Sequence, residues 1–102
     1  MNIAKMLKEA QRMQERMAEA QSGLSSRTIE ASTGGGKVRV TATAAGEVTS
    51  VKIDPQVVDP ADVEMLEDLV LSAVRQVLED AKKIAGDEMG KLTGGLKIPG
   101  LT

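Results

Sequence analysis

The stretch KVRVTATAAGEVTSVKID, residues Lys37 to Asp54, decides the fold. From Lys37 to Ala44 the chain alternates strictly. Val38, Val40, Ala42 and Ala44 fall on one side, and Lys37, Arg39, Thr41 and Thr43 on the other. A period of two is the mark of a strand with one face buried and one solvated. Ala45-Gly46 then supplies a tight turn, and Glu47–Ile53 reads as a second strand. Val51 and Ile53 point inward in that strand, whereas Val48 is out of phase and marks a β-bulge.

Upstream, Arg27–Thr33 forms a third strand with Ile29 and Ala31 on the apolar face. Gly34-Gly35-Gly36 joins it to the next. No Lys-Ser/Thr follows these glycines and no helix opens after them, so they read as a hairpin loop rather than a phosphate loop. Three antiparallel strands in a meander is the simplest assembly.

The segment from Asn2 to about Ser22 reads as one helix, with Asn2 as N-cap and Gly23-Leu24 as its C-terminal cap. Ile3, Met6, Ala10, Met13, Met17, Ala20 and Leu24 recur at steps of three and four. That is the seam by which one helix lies along another. The helix is roughly 30 Å long, against about 20 Å for a short strand. Part of it therefore projects beyond the sheet with a stripe that needs a partner. Met6, Met13 and Met17 fit as core or interface filler, since thioethers without His or Cys make a poor metal site.

Downstream, Asp54-Pro55 ends the sheet, and Asp59-Pro60 opens a second helix, with Asp59 as N-cap and Pro60 at the first helical position. Asp62, Glu64, Glu67 and Asp68 are explained by the positive end of the helix dipole, without any catalytic role. Val63, Leu66, Leu69, Val70, Ala73, Val74, Val77, Leu78, Ala81, Ile84 and Ala85 cover about half the circumference, wider than one sheet requires. The helix is expected to touch its own sheet and a second subunit, with Leu66, Leu69, Val70, Ala73, Val74 and Val77 at the dimer interface. Gly86 and Gly90 weaken its end. The fold class is thus α+β, ordered α-β-β-β-α, with one domain over residues 1–92 and a mobile tail over residues 93–102.

Composition narrows the function. The chain has 102 residues and no Phe, Tyr or Trp, so its core is aliphatic and a lone subunit is marginal. With no Cys and no His there is no thiol nucleophile, imidazole base, zinc site or disulfide. No residue set supports an enzyme, a cofactor, a metal or a small-molecule substrate. No apolar run approaches a membrane span and no signal peptide is recognisable, so a cytoplasmic protein is expected.

The net charge of −2 offers no global attraction to nucleic acid, so any such role rests on local pattern. Lys5, Lys8, Arg12 and Arg16 share one face of the first helix, away from its apolar seam. Glu9, Glu15 and Glu19 interrupt that face and can pair with it, as in Lys5 with Glu9. On sequence alone an ordinary solvated face is the default reading, since mixed charge usually means solvation. Two such helices in a dimer would double the cationic surface at fixed spacing. Lys82 and Lys83, with Lys91 and Lys97, form a second group about the end of the second helix, where the dipole also favours cations.

The element order and several landmarks resemble the YbaB/EbfC family of bacterial nucleoid-associated proteins. The residues that carry the likeness are Lys5-Met6-Leu7-Lys8, Met13-Gln14 and Met17 in the opening helix, then Gly36-Lys37-Val38-Arg39-Val40. Gly46-Glu47-Val48, Val51-Lys52-Ile53-Asp54-Pro55, Leu66-Glu67-Asp68-Leu69-Val70 and the closing Met89, Leu92-Thr93, Gly95-Leu96 and Ile98-Pro99-Gly100 continue it. The resemblance implies a homodimer with projecting helices that binds double-stranded DNA in the nucleoid, alters its conformation, and influences nucleoid organisation, DNA protection and gene expression. It implicates the opening helix and the second helix with its C-terminal end, regions that hold Lys5, Lys8, Arg12, Arg16, Lys82 and Lys83. The lack of aromatics disfavours base stacking, and with it single-stranded or RNA targets. Phosphate contact remains, which implies low sequence specificity. The alternative from another class is an adaptor whose projecting helices clamp a partner protein.

Overall fold

The computed structural model describes residues 2–92. Helix α1 (Ile3–Ser26) leads into strands β1 (Thr28–Thr33), β2 (Val38–Thr43) and β3 (Val48–Ile53), then a short 3-10 turn (Pro55–Val57) and helix α2 (Val63–Leu92). The sheet is antiparallel in the order β1-β2-β3. The tail expected over residues 93–102 lies outside the described residues.

The alternation of β2 is realised in full. Val38, Val40 and Ala42 are completely buried, and Ala73 and Val77 of α2 cover them with no exposure of their own. Ala31 and Ile29 of β1 extend this layer. Thr33 adds a cross-layer hydrogen bond, its Oγ1 donating to the carbonyl oxygen of Leu69 at 2.7 Å. Gly34, at a φ of 62°, turns the β1–β2 loop beneath Leu69. An added Cβ there would lie 3.3 Å from a Leu69 methyl, in a left-handed conformation that suits glycine.

The bulge is present: Thr41 pairs with Ser50 but Ala42 pairs with Val48, leaving Thr49 as the extra residue. Directly paired residues share a face. Val48, Val51 and Ile53 therefore all lie on the helix side, opposite Ala42, Val40 and Val38. The burial expected of Val51 and Ile53 needs correction. They are 45% and 39% exposed, and Val48 beside them is 39% exposed, because α2 packs over β1 and β2 and leaves β3 uncovered.

Both helix boundaries also differ from expectation. Gly23 does not stop α1; the helix runs to Ser26 and ends where the extended Arg27 donates its N–H to the carbonyls of Gly23 and Leu24. Continuing the helix buries Leu24, worth about 2 kcal/mol, against a helix penalty for glycine of about 1 kcal/mol. At the start of α2, Asp59 caps the preceding turn instead, with its Oδ1 accepting from the N–H of Ala61 at 2.9 Å. Asp62 takes the N-cap role, accepting from the N–H of Met65 at 3.2 Å. Gly86 and Gly90 are tolerated inside α2, which remains helical to Leu92.

The molecule is elongated, 71 × 27 × 16 Å, with a radius of gyration of 19.7 Å. A compact chain of this length would have about 13 Å. Both long helices contribute to the excess: α1 has only Leu24 buried, and the 30 residues of α2 outrun the six-residue strands.

Candidate nucleic-acid interface

α1 meets the body only near its C-terminal end. There Glu19, Ala20, Gly23 and Leu24 line a hollow with Arg27 and Glu88 of α2. The N-terminal half stands free as an arm, with Ile3 70%, Met6 52% and Leu7 61% exposed. Asn2 secures its first turn: Oδ1 accepts from the N–H of Ala4 at 3.1 Å and of Lys5 at 3.4 Å. The cap matters because an isolated helical arm frays from its end.

Lys5, Lys8, Arg12 and Arg16 are all exposed along this arm. The ion pairs among the described residues are Lys37 with Asp54 at 4.0 Å and Lys91 with Glu88 at 3.3 Å. None of the four arm cations is in one, and the pairing considered for Lys5 and Glu9 is not formed. A solvated i,i+4 pair stabilises by only about 0.3–0.5 kcal/mol, little against the entropy of fixing two long side chains. The arm cations remain available to an external anion.

Lys82 and Lys83 are also exposed, and neither is in an ion pair among the described residues. Lys82 follows the buried Ala81 and borders a hollow with Ala44, Ala45 and Gly46, so it sits beside the β2–β3 turn. This is the end of the sheet that α1 enters, since Thr28 pairs with Thr43. The two predicted basic groups are thus at the same end of the sheet. Lys97 lies outside the described residues. Charge is segregated along the chain: residues 1–53 carry eight basic against five acidic side chains, and residues 54–102 carry five against ten.

Of the residues expected at a dimer interface, Ala73 and Val77 are fully buried against their own sheet, and Leu69 packs over the β1–β2 loop. Leu66, Val70 and Val74 instead line an open apolar groove with Ile53, Glu67 and Leu71, a cavity of about 460 Å³ between α2 and the uncovered β3. Val51 and Ile53 were missed as surface residues, because their burial depends on where α2 lies and not on strand phase. Arg39 and Lys52 were missed as a pair, because their adjacency depends on the register between strands.

A model of the YbaB/EbfC DNA-binding family matches residues 1–96. The chain belongs to this family. Relatives in it include a nucleoid-associated protein of Pelotomaculum thermopropionicum, 48% identical over 100 residues that cover 98% of this chain and 95% of the relative. Nucleoid-associated protein Teth39_2199 of Thermoanaerobacter pseudethanolicus is 51% identical over 98% of this chain and 90% of its own. The same fold is seen in the crystal structure of the uncharacterised Helicobacter pylori protein HP0035. That structure matches with a TM-score of 0.83 at 17% identity, over 92% of this chain and 99% of the other.

Proposed function

We propose that this chain is a nucleoid-associated protein that acts as a homodimer, gripping double-stranded DNA between its α1 arms through phosphate contacts of low sequence specificity. By altering the conformation of the duplex it would act on nucleoid organisation, DNA protection and gene expression. The observation that carries the reading is the unpaired cationic row Lys5, Lys8, Arg12 and Arg16 on a helix held clear of the body. Lys82 and Lys83 extend that surface at the base of the arm. The names of the relatives favour a cytoplasmic, nucleoid location. The chemistry is that of binding and not of catalysis, with neither cofactor nor small-molecule substrate required.

Dimerisation is supported by the surface left open. The protomer exposes 7700 Å², against about 5,500 Å² for a compact monomer of its mass. The groove of Leu66, Val70 and Val74 and the bare face of β3 are continuous, and a second copy would cover both. Ala73 and Val77 support that surface from behind.

The test is a titration of duplex DNA with the wild-type protein at rising salt, with single strands and unrelated duplex as competitors. Affinity should fall with a log–log slope near −0.9 for each phosphate neutralised. Unrelated duplex should compete and single strands should compete poorly. The exposed Ile3, Met6 and Leu7 favour the second reading, in which the arms clamp a partner protein. That reading gains if duplex binding is absent.

A further inference from the structure

The outer face of the sheet, away from α2, carries a row that crosses all three strands. Ser32 pairs with Arg39, and Arg39 pairs with Lys52, so the three side chains stand side by side on one face. All three are exposed. Neighbouring strands are about 4.8 Å apart, and like charges directly opposite one another destabilise a sheet. Neither Arg39 nor Lys52 has an ion pair among the described residues. Arg39 donates from Nε to the carbonyl oxygen of Gly36 at 3.1 Å, which steadies the guanidinium and leaves its terminal amino groups without a protein acceptor there.

Arg39 and Lys52 border a shallow cavity of about 290 Å³, lined also by Gly36, Lys37, Ile53 and Asp54, and Ser32 stands next to it as the β1 partner of Arg39. Asp54 is matched to Lys37, which also donates to Gln56. The cluster therefore keeps two uncompensated cations and a hydroxyl donor. The rest of this face is Thr28, Glu30, Thr41, Thr43 and Ser50, flat, hydroxyl-rich and without a large apolar side chain. Arginine, lysine and serine are common donors to phosphate oxygens.

From this geometry we infer that Ser32, Arg39 and Lys52 form a second phosphodiester-binding site, which holds the nucleic-acid backbone on the outer face of the sheet. The inference rests on the DNA-binding reading above but not on the arms. Arg39 stands near the start of β2, at the opposite end of the strands from the one α1 enters. A protomer would then hold backbone phosphates at two separated places, and the repulsion between Arg39 and Lys52 would be relieved by the ligand.

The experiment compares four full-length proteins by fluorescence anisotropy with a duplex oligonucleotide across a salt series: wild type, R39Q/K52Q, K8E/R12E and the four-fold combination. R39Q/K52Q should bind several-fold more weakly than wild type, with a salt slope shallower by about 1 for each phosphate no longer neutralised. The combination should lose binding that K8E/R12E retains. Thermal melts of R39Q/K52Q should be unchanged or raised, because a repulsive pair has been removed, whereas a merely structural pair would melt lower. If R39Q/K52Q matches wild type in affinity and slope while K8E/R12E is impaired, the sheet site is refuted and the arm reading stands. If only R39Q/K52Q is impaired, the sheet site stands and the arm assignment falls. Wild-type protein that does not bind duplex overturns both.

Discussion

Val48 of β3 stands opposite Ala42 of β2, one residue out of the register set by Ser50 and Thr41. Through that offset the bulge at Thr49 brings Val48 to the same side as Val51 and Ile53. An apolar strip then runs the length of β3 where α2 does not reach.

This strip should be tested at Val51. Its side chain is 45% exposed in the protomer, so a charge there can be hydrated without unfolding the chain. Val51→Lys should keep native circular dichroism and reduce the mass in analytical ultracentrifugation to that of one protomer. Val77→Lys is the contrast: Val77 has no exposure, and an unpaired buried charge should unfold the protein. A Val51→Lys protein that remains dimeric would place the interface elsewhere.

The start of α2 makes a separate prediction. Asp62 caps the helix and Asp59 caps only the turn before it. Asp62→Ala should cost about 1 kcal/mol, or about 4–8 °C in melting temperature for a domain of this size. Asp59→Ala should cost less. The reverse order in thermal melts would restore Asp59 as the helix cap.

The bond from Thr33 to the Leu69 carbonyl ties the sheet to α2. Thr33→Val keeps the shape and the β propensity but removes the donor. A loss of about 1 kcal/mol in denaturant unfolding is expected, with little change in the m-value. An unchanged midpoint would mean that the bond contributes nothing net.

The elements that follow from local pattern were legible in the sequence. The alternation of β2, the glycine turns and the out-of-phase Val48 each report on a few neighbouring residues. What required the structure depends on distant ones. Gly23 suits a helix end locally, yet burial of Leu24 carries the helix past it. Asp59 and Asp62 are equally good caps by type, and only the turn between them assigns the roles. The basic arm was visible from its spacing, whereas its freedom from Glu9, Glu15 and Glu19 was not. The Arg39–Lys52 neighbourhood depends on a register that no single strand encodes.

Whether the arm grips duplex DNA through its cationic face is decided by the K8E/R12E protein. Both side chains are exposed and neither supports the core, so circular dichroism and dimer mass should match wild type. Each protomer loses two cations and gains two anions. Duplex affinity at low salt should therefore fall at least about tenfold, with a salt slope shallower by about 1 for each phosphate left without its cation. A folded K8E/R12E protein that binds duplex with wild-type affinity and wild-type salt dependence would show that the arm cations do not hold the duplex.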